Sequence, residues 1–260
     1  QVVNEKCERC GTEIISKLLE QFEPLDFEAM ANPHNVENFK LSNKHYTVLS
    51  IENIIHVAEK NLWGLCKNHD FIYLYNGTYW DELDKETFQK FLGKAAEEMG
   101  VPTFSARYYK FKKELYDQFL SEGYLKSPYT NLNTVLINLQ NGTFEVSPKG
   151  TQLRPFDRAD FLTYQLPFEY NPEATAPLFE AYLSRVLPDI ERQQVLAEYL
   201  GFVFIKHGSN RLKEEKALIL YGTGANGKSV FFEIVSALLG TENTCNYSLQ
   251  SLTNDNGYFR

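Results

Sequence analysis

Gly222-Thr-Gly-Ala-Asn-Gly-Lys228-Ser229 is a complete phosphate-binding-loop pattern, and its flanks decide how the C-terminal part of the chain folds. Before it, Lys216-Ala-Leu-Ile-Leu-Tyr221 is an apolar run of strand length. After it, Val230 to Leu239 has helical spacing and stops at Gly240. Strand, glycine-rich turn and helix are the context in which this pattern has meaning. The expectation is the first strand–loop–helix unit of an α/β P-loop nucleotide-binding domain, following a mixed α+β region of helices and β-hairpins.

The residue types suit a triphosphate. Gly222, Gly224 and Gly227 allow the backbone to come close to a phosphate. N–H groups from Ala225 to Lys228 are expected to face phosphate oxygens, aided by the positive end of the helix. Lys228 would carry charge to the β- and γ-phosphates, and Ser229 would offer its hydroxyl to Mg²⁺, a hard ion that prefers oxygen. Thr223, Asn226 and Val230 complete the loop positions around ATP. The competing reading is a glycine-rich turn with an incidental Lys-Ser.

Hydrolysis needs more than phosphate binding: an acidic residue on a neighbouring strand to hold Mg²⁺, and a group that orients water. Only 31 residues follow Ser229, and none forms a hydrophobic strand ending in Asp or Glu. Glu233 lies within the loop's helix and Asp255 in a polar, turn-like stretch. With Gln1 rather than Met at its start, the chain reads as an internal piece of a longer protein. Such a piece is expected to bind nucleotide weakly and hydrolyse almost none.

Composition is that of an ordinary globular chain: 43% hydrophobic and 14% aromatic residues over 260 positions fill about two domains. No apolar run approaches the roughly 20 residues of a membrane helix, and no membrane partner is expected. Four cysteines without regular spacing point to a reducing compartment. A net charge of −8 speaks against one broad nucleic-acid face, though not against a local one.

Four regions follow from the pattern. Residues 1–50 hold a helical stretch from Thr12 to Phe22, then Pro24, Pro33 and many polar positions, which is connector composition. Residues 51–175 form an α+β domain. Helices are expected at Ile51–Leu62, Lys85–Met99 and Ala106–Ser121. Two hairpins with two-residue Asn-Gly turns are expected, Phe71–Tyr75 with Thr78–Trp80 and Val135–Leu139 with Thr143–Val146. Residues 176–212 carry amphipathic helices at Ala176–Val186 and Ile190–Ile205, and residues 213–260 hold the nucleotide loop.

Three further runs bear on identity. Leu166-Pro-Phe-Glu-Tyr-Asn-Pro172, Tyr199-Leu-Gly-Phe202 and Ala217 through Ser229 together resemble the phage and plasmid primase–helicases, the P4/D5-like superfamily 3 helicases. Val135-Leu-Ile-Asn-Leu-Gln-Asn-Gly142 resembles the N-terminal domain before the motor in that family. Leu238-Leu-Gly240 and Ser248-Leu-Gln-Ser-Leu252 resemble the segment after the loop. Val230 departs from the family's frequent Thr, and the second acidic motif, polar sensor and arginine finger have no counterpart here.

The resemblance implies a homo-hexameric, AAA+-like ring motor that hydrolyses ATP between subunits and moves along single-stranded DNA. An upstream primase module and a cytoplasmic setting in a bacterial or phage-infected cell come with it. Lys228 would be the catalytic residue, with Ser229 on Mg²⁺. Two other classes stay open: a small-molecule kinase, and a non-catalytic replication adaptor in which nucleotide sets conformation.

Smaller signals remain. Cys7-Glu-Arg-Cys10 supplies half of a zinc ligand set, and Cys66 with His69 repeats its spacing. Two unpaired cysteines in a polar tail is the plainer reading. Arg107, Lys110 and Lys113 recur every three residues among Tyr108, Tyr109 and Phe111, a pattern suited to single-stranded DNA. The plainer reading, and the one favoured here, is an amphipathic helix that buries Phe111, Leu115 and Phe119 while its lysines stay in water. Trp80 and the hairpin tyrosines read as core.

Overall fold

The structure is a computed structural model that describes residues 15–34, 36–68, 71–122, 134–205 and 216–248. The chain divides into two compact units, Gln1–Tyr129 with Arg158–Thr163, and Thr130–Asp157 with Tyr164–Arg260. It is mixed α+β, with two antiparallel three-stranded sheets among the described residues.

In the first unit, a helical turn at residues 15–19 precedes the short helix α1 (Phe27–Ala31) and the long helix α2 (Asn43–Lys60). Helix α2 begins eight residues before the expected Ile51. The extra turns start at Ser42, whose N–H donates to His45 Nδ1 at 3.1 Å, closing the cap with a histidine in the place usually held by Glu or Gln. Helix α3 (Lys85–Glu98) starts where Asp84 accepts the Thr87 N–H at 2.9 Å. It buries Phe88, Phe91, Leu92, Ala95 and Ala96, one face at helical spacing. It stops at Gly100 (φ +100°), where Val101 N–H returns to Ala96 O at 2.9 Å.

The expected helix Ala106–Ser121 is two helices, α4 (Thr103–Arg107) and α5 (Tyr109–Glu122), broken at Tyr108 (φ −68°, ψ 131°). Phe111, Leu115, Tyr116 and Phe119 of α5 enter the core with Ile51 and Ile54 of α2 and Phe88 and Leu92 of α3. Phe88 and Phe119 meet edge to face, with centroids 4.9 Å apart.

The first sheet is β1 (Leu65–Asn68), β2 (Phe71–Tyr75) and β3 (Trp80–Leu83), in that order. Strand β1 was not anticipated, and the third strand begins where the expected one ended. Tyr75 pairs with Trp80, so the turn spans Asn76–Tyr79 rather than two residues. Asn76 Oδ1 causes this by accepting from the N–H groups of Thr78 (3.0 Å) and Tyr79 (2.9 Å) and from the Thr78 hydroxyl. Residues 158–163 return to this sheet: Trp80 N–H donates to Leu162 O at 2.7 Å, and its indole N–H to Arg158 O at 2.8 Å. Trp80 also packs against Tyr75 and Phe161, as a core residue does.

In the second unit, β4 (Val135–Leu139), β5 (Gly142–Ser147) and β6 (Gly150–Arg154) form a meander. Leu139 pairs with Gly142, so the turn residues are Gln140 and Asn141, one position earlier than expected. The polar strand β6 was not anticipated. Residues 164–170 run beside β4. Leu166 N–H donates to Asn138 O (2.8 Å), Gln140 N–H to Phe168 O (3.0 Å) and Asn138 Nδ2 to Tyr164 O (2.9 Å). Asn141 both donates to and accepts from the Tyr170 backbone.

Helices α6 (Pro177–Val186) and α7 (Ile190–Phe202) follow, the second capped by Asp189 and shorter than the expected Ile190–Ile205. Among the described residues, helix α8 (Lys228–Leu239) is the last α-helix.

The expected strand at Lys216–Tyr221 is absent: the backbone there is irregular, and Ile219 is 83% and Tyr221 99% exposed. A strand is held by its ladder, and no described strand pairs with this run. The strand–loop–helix unit is therefore present only as loop and helix. Among the described residues no helix is long and apolar enough to cross a membrane.

Candidate functional site

The loop that carries the phosphate-binding pattern leads straight into α8, whose first residue is Lys228. Two residues take left-handed backbone conformations, Ala225 (φ +57°) and Gly227 (φ +86°). At Gly227 the cause is visible. A Cβ there would lie 2.8 Å from Val186 Cγ1 and 3.1 Å from the Tyr182 hydroxyl, both on α6. The conformation and the space each require glycine.

Lys228 folds over its own loop. Its Nζ donates to Gly222 O (2.9 Å), Thr223 O (2.8 Å) and Asn226 Oδ1 (2.6 Å). Of the expected loop residues, Gly222, Thr223, Asn226 and Lys228 are thus tied into one hydrogen-bonded turn around an ammonium. Gly224, Ala225, Ser229 and Val230 are exposed beside it. The Tyr182 hydroxyl donates to Gly227 O at 2.7 Å, so α6 braces the loop from outside. Tyr182 carries no local sequence signal of this role and reads only as one aromatic in an amphipathic helix.

The basic stripe is not one continuous helix face. Arg107 closes α4, while Lys110 and Lys113 stand on α5 beyond the break at Tyr108. Arg107 makes two bonds to Glu97, Nη2 to Oε1 at 2.9 Å and Nε to Oε2 at 3.2 Å. Its guanidinium, first through that hydrogen bond, holds the Glu97 carboxyl below the usual carboxylate range. Lys110 and Lys113 are exposed.

Cys66 sits in β1, buried, and burial pushes its thiol up to about 12. That favours the neutral thiol over the thiolate a metal needs. The other candidate zinc ligands, Cys7, Cys10 and His69, lie outside the described residues, as do Asp255 and residues 249–252. Among the described residues no group of His, Cys, Asp and Glu is placed to hold a metal ion. Glu233 lies within α8.

Residues 55–188, just over half of the 260, match the family model described as D5 N terminal like. The match runs from within α2 to two residues past α6, and the loop at 222–229 lies beyond it. No curated protein matches the chain.

Proposed function

The chain belongs to the D5 N-terminal-like family, and from that membership we propose that it is part of an ATP-dependent replicative primase–helicase of a phage, plasmid or integrated element. Gly222–Val230 would bind ATP with Mg²⁺ on Ser229, and Lys228 would be the residue on which turnover depends. The wider assembly would be a homo-hexameric ring acting on DNA in the cytoplasm, with a primase module upstream.

The observation that carries the nucleotide reading is the transition at Gly227–Lys228. A left-handed glycine ends the loop, and a twelve-residue helix begins at the lysine. A helix start presents free N–H groups and the positive end of its dipole, the arrangement that receives phosphate. The acceptors now held by Lys228 Nζ are neutral oxygens of the loop, which a triphosphate would outcompete by charge. Helix α8 adds support. Its sequence, Lys-Ser-Val-Phe-Phe-Glu-Ile-Val-Ser-Ala-Leu-Leu, is apolar on nearly every side, the composition of a helix suited to burial within a larger domain.

The test is titration of a fluorescent ATP analogue with Mg²⁺ against this chain and its Lys228→Ala variant, followed by ATP turnover with and without single-stranded DNA for the whole primase–helicase proposed here. Loss of binding in the variant supports the loop assignment. Binding that survives the substitution unchanged removes it. Turnover that ignores DNA would leave a nucleotide-binding protein without the motor.

A further inference from the structure

We propose that the elbow between α4 and α5, residues 103–113, binds single-stranded nucleic acid by stacking bases on Phe104, Tyr108 and Tyr109 while Lys110 and Lys113 hold the phosphates. The proposal deepens the replication reading but does not rest on the nucleotide loop.

The first support is exposure of the wrong kind for a solvated surface. Phe104 is 92% exposed, Tyr109 65% and Tyr108 49%, within six residues of one another. Single exposed apolar residues need no explanation, but three aromatic rings on one short elbow do. The break at Tyr108 creates the cluster. Its extended ψ of 131° ends α4, and α5 starts at the next residue, leaving the two tyrosine rings 5.0 Å apart in edge contact.

Charge decides what would cover them. Residues 103–113 contain Arg107, Lys110, Lys112 and Lys113 and no acidic residue, in a chain whose net charge is −8. The nearest acid in sequence beyond them is Glu114, where the basic run ends. Arg107 is balanced by Glu97 and serves to fix the elbow on α3. The Lys112 stem lies across Gly93, where an added Cβ would be 2.9 Å from both its Cγ and Cδ, so α3 and α5 approach closely there. Lys90 and Lys94 flank that glycine on α3 at one-turn spacing and are exposed. Among the described residues neither Lys110 nor Lys113 forms an ion pair.

An aromatic patch beside Lys110 and Lys113, which form no ion pair among the described residues, suits a polyanion that also offers flat apolar faces. Unpaired bases supply those faces; a duplex hides them in its stack. An apolar protein partner would leave the lysines uncompensated, and an acidic one would leave the rings with nothing to stack on.

The experiment is fluorescence anisotropy of a labelled oligodeoxythymidine of about 15 nucleotides against the 260-residue chain, repeated over a range of salt. Two double variants are compared, Phe104→Ala with Tyr109→Ala, and Lys110→Gln with Lys113→Gln. All four side chains are exposed, so circular dichroism should be unchanged. The aromatic pair is expected to weaken binding at least about tenfold at every salt concentration. The lysine pair should lower the slope of log affinity against log salt by about 1.4.

Absence of binding by the unmodified chain, or binding that neither pair alters, overturns the proposal. So does equal affinity for a duplex of the same length. If the aromatic pair changes only sedimentation of the chain, the elbow is a protein contact and the proposal also fails. ATP-analogue binding measured on the same samples separates this failure from failure of the nucleotide loop.

Discussion

The hydroxyl of Tyr182 donates to the carbonyl oxygen of Gly227, 45 residues further along the chain, at 2.7 Å, so a helix that ends at Val186 holds the last glycine of the loop. Tyr182→Phe keeps the ring and removes the donor. Loss of one such bond is expected to cost about 1 kcal/mol of stability and to weaken nucleotide binding a few-fold. Urea unfolding and nucleotide titration of the variant check this; no change in either would show that the contact carries no weight.

Gly227→Ala should be harsher than Tyr182→Phe. A left-handed alanine costs roughly 1–2 kcal/mol by itself, and its methyl would press on Val186 Cγ1 at 2.8 Å. We expect ATP binding to disappear while the first unit keeps its structure. A partial return of binding when Val186→Ala is added would identify crowding as part of the cause.

Lys228→Ala removes the ammonium that three loop oxygens share. If a triphosphate takes their place, loss of a charged hydrogen-bond donor worth about 1.5–3 kcal/mol should weaken ATP binding at least about tenfold. Oligonucleotide binding at the α4–α5 elbow should stay as it was. Isothermal titration with each ligand distinguishes the two.

Phe88 is fully buried and meets the rings of Phe91, Tyr116 and Phe119. Phe88→Ala should destabilise the first unit by about 3–5 kcal/mol. Near-ultraviolet circular dichroism, which reports aromatic packing, should lose its signal at a lower urea concentration. A variant that unfolds with the parent would mean the core closes over the cavity.

Alkali should test the second unit at Tyr164, whose hydroxyl donates to Leu136 O at 3.2 Å and whose burial raises its pKa to about 12. The folded chain keeps this proton where the unfolded chain, titrating at the ordinary 10.0, has lost it. The unfolded state therefore binds fewer protons between those values, and stability falls as pH rises through that window. Below 10.0 the group has no effect. Tyr164→Phe should flatten this part of the urea-midpoint profile; a profile of unchanged slope would place the alkaline loss elsewhere.

Much of the helical framework was legible because its signals are local. Lys85–Glu98 shows Asp84 at its start, a glycine beyond its end and apolar residues at helical spacing between. The start of α2 was hidden by its cap, since His45 closes on Ser42 in place of an acid or amide. The break at Tyr108 carries no Gly or Pro, so periodicity ran through it. Strands β1 and β6, Leu-Cys-Lys-Asn and Gly-Thr-Gln-Leu-Arg, are too short or polar to declare themselves and exist by pairing with β2 and β5.

The loop's glycines and Lys228 could be named from spacing alone, but not the brace from Tyr182, a contact across many residues of chain. Lys216–Tyr221 shows the reverse error. Its apolar run records a tendency to be covered, while a strand also needs a neighbour.

Unit two leaves Leu178, Ile190, Ile219, Tyr221, Val230 and Phe232 open to water, from 47% to 99% exposed. The practical consequence is colloidal. Exposed apolar side chains of this size favour cohesion between molecules as concentration rises, opposed by repulsion from eight net negative charges. Added salt screens the repulsion and strengthens the cohesion, so turbidity should rise with ionic strength and fall on dilution.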